Sequence, residues 1–411
     1  MSLKRVVITG TGSVSPFGRG SDTLMDALLA GRSAVRNIPD LERIGGLRSR
    51  VAALVPSIDP KEIPRKFRRS MSPMSIYATL ACYDALAQAG LSHEECGSGL
   101  LGVSLGSTVG STATTEEFFR DFFVDHSLER MKTTFFFQIM NHSCAANVAQ
   151  ALGVTGRILA PSAACSTGSH AVGYGYEMIA MGRQEQMLCG GADEFHPLTA
   201  ATFDVMNAAS VHFNDSPTHT PRPFDRERDG VVCAEGAGIL LLESLDSALA
   251  RRVPILAEVI GFATLSDPSS IANPDVGAME RCMQLALADA GIGADEVDYV
   301  NAHATATEQG DVAESEAIFR IFGDRVPVSS LKGHMGHTMA ASGSIELLAC
   351  VGMMRRNVLV PTLNLQNVDP ACSPLNYLRQ AESGSVKVVI KNNFALGGVN
   401  SSIVLRSYPH D

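Results

Sequence analysis

One cysteine and two histidines stand where the chain passes from strand to loop or helix, positions suited to chemistry. Residues Arg157 to Ala164 read as a strand, Cys165-Ser166-Thr167-Gly168-Ser169 follows, and Val172 to Met181 reads as a helix. A cysteine at such a junction faces unpaired N–H groups and the positive end of a helix, which favour thiolate over thiol. The thiolate is the form that attacks thioesters. Ala163, Ala164, Ser166 and Gly168 leave room for a substrate. The plain alternative for any single cysteine is a buried, inert side chain, and position alone does not decide for Cys165.

The histidines lie in the second half. His303 ends the strand Val300 to His303 and opens a hydroxyl-rich loop, Ala304-Thr305-Ala306-Thr307. Ser329-Ser330-Leu331-Lys332-Gly333-His334-Met335-Gly336-His337 precedes a small-residue helix, Met339 to Cys350. Neutral imidazoles that donate through a ring N–H can stabilise an enolate oxygen without supplying a full charge. His170 and His142 read as ordinary core histidines.

These residues need a frame. The chain has 411 residues, 45% hydrophobic and 18% charged, which suits two domains or two fused halves. A net charge of −10 argues against a general nucleic-acid function. Nine scattered cysteines, with no CxxC pair, argue against a zinc site or disulfide framework and suit a reducing cytoplasm. No basic and apolar leader precedes the first strand, and no apolar run approaches the length of a membrane span.

Arg5 to Thr9 reads as a strand, and Gly10-Thr11-Gly12 as a tight turn after it. The GxGxxG spacing of a dinucleotide site fails, because Val14, Ser15 and Pro16 stand where a helix should begin. Ile76 to Ala89 reads as a helix capped at Gly90, followed by the strand Gly99 to Leu105. Met279 to Ala290, capped at Gly291, leads in the same way into the strand Val297 to Ala302. The helix ends match: Ala85-Leu86-Ala87-Gln88-Ala89-Gly90 and Ala286-Leu287-Ala288-Asp289-Ala290-Gly291. A repeat at an offset of about 200 residues implies a duplicated α/β unit. The seam falls near Ala250 to Pro254, before a fresh strand, Ile255 to Ile260. It gives an N-terminal half, 1–252, with the cysteine and a C-terminal half, 253–411, with the histidines.

The motifs then carry a resemblance. Val7-Ile8-Thr9-Gly10-Thr11-Gly12 and Ala163-Ala164-Cys165-Ser166-Thr167-Gly168 occur in order with Arg222-Pro223-Phe224-Asp225, Arg228-Asp229-Gly230 and Glu235-Gly236-Ala237-Gly238. Asn301 to Thr307 with Gly310-Asp311 and Glu314 follows, then Lys332, Gly336-His337 and Glu346, then Phe394 to Asn400. Together they resemble the β-ketoacyl-acyl-carrier-protein synthases, specifically the elongating Cys-His-His enzymes, over Arg5 to about Leu405. The resemblance implies an α/β thiolase-like fold, with two pseudo-duplicated βαβαβ halves in a layered α-β-α-β-α core.

It also implies roles. Cys165 would take the acyl group, with the backbone N–H groups of Cys165 and Leu396 as oxyanion hole. His303 and His337 would hold the enolate oxygen, and Lys332 would tune the electrostatics. Glu346, Asp311 and Glu314 would support the loops, and Thr305 and Thr307 would bind the phosphopantetheine arm. Val109, Phe135, Phe137, Phe394 and Leu396 would form the acyl gate and pocket. Arg65, Lys66, Arg68 and Arg69 would dock an acidic acyl carrier protein; a solvated charged face is the plain alternative. No metal and no protein-bound cofactor is implied, because the carrier's arm brings the thioester. The family forms dimers, so a homodimer, or a heterodimer with a chain-length-factor homologue, is expected.

Ala234, Ala304, Ala340 and Ala395 replace family glycines, Val399 a threonine, and Leu396 the gating phenylalanine, so an altered acyl gate is expected. Three rivals exist. A chain-length-factor-like subunit would lack the cysteine, a thiolase would use a second cysteine in a glycine-bearing context that Cys372 lacks, and a chain-initiating synthase would carry Cys-His-Asn.

Overall fold

The computed structural model describes residues 3–408. Apolar residues run unbroken along the central strands, so each strand buries two faces. In Gly236–Ser244, Leu240 and Leu242 join one core cluster while Ile239 and Leu241 join another. Both faces must therefore be covered by helices.

The first half runs β1 (Val6–Ser15), α1 (Pro73–Gln88), β2 (Leu101–Gly106), α2 (Ser143–Leu152), β3 (Ile158–Leu159), α3 (Thr167–Ala180), β4 (Gln186–Asp193) and β5 (Gly236–Ser244). The second repeats it as β6 (Ala257–Ser266), α4 (Val276–Ala290), β7 (Tyr299–Asn301), α5 (Glu308–Phe322), β8 (Pro327–Ser329), α6 (Ser342–Arg356), β9 (Val388–Ala395) and β10 (Val399–Arg406). Strand order is β1-β5-β4-β2-β3 in one half and β6-β10-β9-β7-β8 in the other, with matching directions. Antiparallel pairing of Val6, Ile8 and their neighbour Val7 with Val259, Ala257 and Glu258 joins the halves.

Helices α3 and α6 lie between the two halves of the sheet, in one core cluster with residues of β1, β4, β5, β6, β9 and β10. Helices α1 and α2 cover the outer face of the first half, and α4 and α5 that of the second. The result is the α-β-α-β-α layering that the resemblance implied.

Gly10-Thr11-Gly12 is not a turn. Strand β1 continues through it to Ser15, with a register shift between Ile8 and Gly10. The glycines serve close packing: a Cβ on Gly10 would lie 2.1 Å from the Ala85 carbonyl oxygen, and one on Gly12 1.9 Å from that of Ala81. Gly261 of β6 repeats the contact, 2.4 Å from the Ala286 oxygen of α4. Thus the matching alanine-rich helix ends are the matching faces of two helix-on-strand contacts. Each helix stops at a glycine in the left-handed region, Gly90 at φ 63° and Gly291 at φ 66°. The expected strand Arg157 to Ala164 pairs only at Ile158–Leu159; the rest is loop.

Gly12→Ala and Gly261→Ala should each destabilise the chain by about 1–3 kcal/mol, because backbone must move to admit the methyl group. Gly45→Ala, whose new methyl group would meet nothing within 4 Å, should stay within about 0.5 kcal/mol of the parent. Chemical denaturation midpoints measure both.

Candidate active site

The nucleophile candidate sits on a strained turn. Ala164–Ser166 form one turn of tight helix that runs into α3, and Ala164 adopts φ 47°. Left-handed backbone costs an ordinary residue about 1–2 kcal/mol, so surrounding bonds must hold it. The Ala163 N–H donates to Thr167 Oγ1 (2.8 Å), and Ser166 Oγ donates to the Asn393 and Val399 carbonyls (3.1 and 2.8 Å). The turn is thereby fastened to β9 and β10 of the other half.

His303 leaves the end of β7. Buried Glu314 on α5 accepts from the His303 and Ala304 N–H groups at 2.8 and 2.6 Å, which fixes the loop. Asp311 accepts from the Ala306 and Phe224 N–H groups (3.1 and 2.7 Å). Arg228 donates to the Thr307 and Glu308 carbonyls (3.2 and 2.7 Å) and to Asp369 (2.5 Å). The arginine and aspartate motifs around 222–230 therefore brace the histidine loop. His337 follows Gly336 (φ 70°) and is clamped by backbone: its N–H donates to the Val232 carbonyl (2.8 Å), and its carbonyl accepts from the Ala234 N–H (2.9 Å).

These elements bring three groups together. A ring nitrogen of His303, one of His337 and Cys165 Sγ all lie within 4.8 Å of one another. The two rings meet edge to face, with centroids 5.3 Å apart. Burial, with Lys332 next in weight, holds His303 well below the ordinary histidine range and His337 down to about 3. Both imidazoles are neutral. Among the described residues, neither ring nitrogen of His337 has a hydrogen-bond partner. Such buried, free nitrogens suit a ligand. Burial pushes the Cys165 thiol up to about 11, while Lys332 and the backbone N–H groups of Cys165 and Leu396 pull it down. The helix-end argument thus competes with desolvation, and the resting group is a thiol.

Lys332 donates to Glu346 (2.7 Å), and both are fully buried. A cavity of about 500 Å³ opens above the three groups, lined in part by Cys165, His303, His337, Thr305, Thr307 and Leu396. Phe394 is also on its wall. The threonine hydroxyls are 3.2 Å apart. Val109, Phe135 and Phe137 do not line this cavity: Val109 and Phe137 are exposed, and Phe135 is buried with the Lys132 ammonium 4.9 Å from its ring. Arg65, Lys66 and Arg69 are exposed and Arg68 half-buried on the short helix Arg65–Arg68. None of the four forms an ion pair among the described residues. His170 is a core histidine, bonded to Thr264 and Tyr174. His142 is exposed at the start of α2 and is not a core residue.

Sequence reasoning missed Asn393 and Lys391 of β9. Asn393 Nδ2 faces the Cys165 carbonyl (3.2 Å), which can only accept, so the amide's orientation is fixed. The same NH₂ lies 3.3 Å from His303 Nδ1, which must then accept, placing the ring proton on Nε2. Ser169 Oγ donates to Asn393 Oδ1 at 2.6 Å. Lys391 Nζ lies 2.7 Å from the second oxygen of Glu346. Its signal was available: Val388-Val389-Ile390-Lys391 puts a lysine inside a buried apolar strand. A second turn mirrors the first. Met339, at the start of the Met339–Ala341 turn before α6, has φ 51°, and the Ala340 N–H donates to buried Asp193 at the end of β4 (2.8 Å).

The chain belongs to the β-ketoacyl synthase family. Residues 3–248 match the family's N-terminal domain and residues 256–366 its C-terminal domain. It is 31% identical over 408 residues to 3-oxoacyl-[acyl-carrier-protein] synthase 1 of Haemophilus influenzae, covering 99% of this chain and 100% of that one. A crystal structure of a β-ketoacyl synthase from Burkholderia phymatum STM815 superposes with a TM-score of 0.96 at 45% identity, covering 99% and 100%. The complex AntDE:AntF, a type II polyketide acyl-carrier protein with its ketosynthase bound to the hexaketide, matches with a TM-score of 0.91 at 30% identity, covering 99% and 100%.

An unfolded histidine protonates near pH 6.5, whereas folded His337 and His170 resist until about 3 and about 4. Acid therefore favours the unfolded chain. Their contribution is full above pH 6.5 and is lost as pH falls toward the folded values, by up to ~1.4 kcal/mol per pH unit per histidine. Buried Asp311, raised to about 7, acts in the opposite direction over the same window, so the comparison is between variants: His170→Gln should lose less stability, or gain more, than the parent between pH 7.5 and pH 5.5. An equal change in both denaturation midpoints would contradict neutral burial of His170.

Proposed function

We propose that this chain is an elongating β-ketoacyl-acyl-carrier-protein synthase whose nucleophile is Cys165. The observation that carries the reading is the convergence of one thiol and two neutral imidazoles at the floor of a cavity with two threonine hydroxyls on its wall.

In the first half-reaction the Cys165 sulfur attacks the carbonyl of an acyl-carrier thioester. The carrier's thiol leaves with a proton, and the acyl group stays on Cys165. The N–H groups of Cys165 and Leu396 stabilise the tetrahedral oxyanion. Malonyl-carrier then enters along Thr305 and Thr307, which bind its phosphopantetheine arm. The bond to its carboxylate breaks, CO2 leaves, and the electron pair forms an enolate whose oxygen receives the N–H groups of His303 and His337. The enolate carbon attacks the acyl-Cys165 carbonyl and expels the thiolate, which takes one proton from solvent. The products are β-ketoacyl-carrier, CO2 and free enzyme. Neutral imidazoles fit this step, because a donated proton would trap the enolate before it attacked. Asn393 supports it by presenting His303 as the Nε2–H tautomer.

Glu346 pairs with Lys332, while Asp311 and Glu314 hold the His303 loop. Leu396 and Phe394 form the gate. No protein-bound cofactor and no metal is needed, since the thioester arrives on the carrier. The partner is an acyl carrier protein, docked through exposed Arg65, Lys66 and Arg69. The exposed apolar side chains of Phe119, Phe123, Phe136 and Phe137 suit burial against a second subunit, identical or homologous. Val109 and Phe137 would complete the acyl pocket in such a dimer. Nine free, buried cysteines suit work in the cytoplasm.

Incubation with acyl carriers of different chain lengths should add one acyl mass to the protein, and Cys165→Ala should abolish the gain. Malonyl-carrier should then yield the extended β-ketoacyl-carrier. His303→Ala and His337→Ala should keep loading but lower condensation by about 10²-fold or more. Loading on the Cys165→Ala variant would refute the nucleophile.

A further inference from the structure

Two lysines share one carboxylate in the interior. Lys332 Nζ lies 2.7 Å from one oxygen of Glu346 and Lys391 Nζ 2.7 Å from the other; the side chains are 0%, 0% and 1% exposed. Lys391 also donates to the Asn392 carbonyl. In this row two lysines face one carboxylate where water cannot screen them; burial pushes the Lys391 ammonium down from the ordinary lysine range, and Glu346 opposes that.

Glu314, the other carboxylate that both lysines act on, sits apart from the row and accepts from the His303 and Ala304 N–H groups. Tyr299 and Cys350 also face the cluster, but burial holds both protonated. Nor does packing require an ammonium, since β9 is held by backbone pairing to β7 and β10 and Val389 and Ile390 beside Lys391 are apolar. An extra buried charge opposes folding, and such charges concentrate where chemistry uses them.

We propose that Lys391 is a positioning residue for decarboxylation, its ammonium beside Glu346 adding one positive charge that favours movement of negative charge from the malonyl carboxylate to the enolate oxygen. The proposal rests on the condensing reading above. Lys391 acts on the half of the site where that charge arrives: its charge bears on both imidazoles. At the Cys165 thiol, Lys332 is the charged group with the most weight. Loss of Lys391 should therefore slow decarboxylation more than acyl loading.

Charge arithmetic gives the test. Lys391→Met removes one positive charge, and the double variant Glu346→Gln, Lys391→Met returns the site to the parent's total charge. With the full-length protein, CO2 release from malonyl-carrier and acyl mass gain on Cys165 are measured in parallel. Lys391→Met should slow CO2 release on the order of tenfold, with loading changed by less than about twofold, and the double variant should recover most of the loss. If the methionine variant does not fold, Lys391→Gln makes the same change in charge. Equal slowing of both steps, no slowing, or a double variant no faster than the single one overturns the inference while leaving the condensing reading intact. Parent protein that releases no CO2 refutes both.

Discussion

Three residue pairs, Val6 to Ile8 against Ala257 to Val259, join the two halves of the sheet edge to edge. That short antiparallel contact fixes how α3 and α6 share the middle layer, and with it every distance at the site. Cys165 comes from the first half and His303 and His337 from the second, so no part of the chain could assemble the set alone. The turn before α3 is held by carbonyls of β9 and β10, while the backbone beside His337 is held by Val232 and Ala234 of the first half. Each half supplies the other's local constraint. A backbone strained at Ala164 persists because the opposite half over-determines it.

The middle layer is also where charge is buried. A thiol raised by desolvation sits with two imidazoles lowered by it, next to a lysine–glutamate–lysine row. Burial keeps the thiol and both imidazoles neutral at ordinary pH, while in the row Glu346 contacts both lysines and is held below the usual carboxylate range by them. The electrostatic character of the cavity is thus set by a few fixed groups rather than by solvent.

Much of this was legible in the sequence, for physical reasons. The repeat was visible because both outer helices need small residues at the same places to approach a glycine-bearing strand. The nucleophile and histidine motifs were visible because their turns demand particular small residues. The use of Gly10 and Gly12 was misread, since a glycine that admits a neighbouring helix looks in sequence like one that makes a turn. Strand β3 was overextended because Arg157 to Ala164 has strand composition but its later residues find no partner. Lys391 stood out as a lysine in an apolar strand, but its partner, and the meaning of Asn393, depend on which face of β9 turns toward α3 and α6. Residues 389, 391 and 393 share that face, which only the packed structure reveals. Val109 and Phe137 lie open on the surface of a single chain.

The strained turn occurs twice. Ala164 and Met339 hold corresponding places before α3 and α6, both with positive φ, and Cys165 corresponds to Ala340. In the first copy the N–H after the strained residue acts on the Cys165 sulfur, as does the N–H of Leu396 just past β9. In the second the same N–H is capped by the Asp193 carboxylate at the end of β4, the strand equivalent to β9. One strand end brings a donor and the other an anion. The second copy therefore carries its own permanent mimic of a bound oxyanion, which locks it as scaffold. The twofold pseudosymmetry of the fold therefore breaks at a carboxylate: the two turns match in backbone and differ in what meets the N–H group.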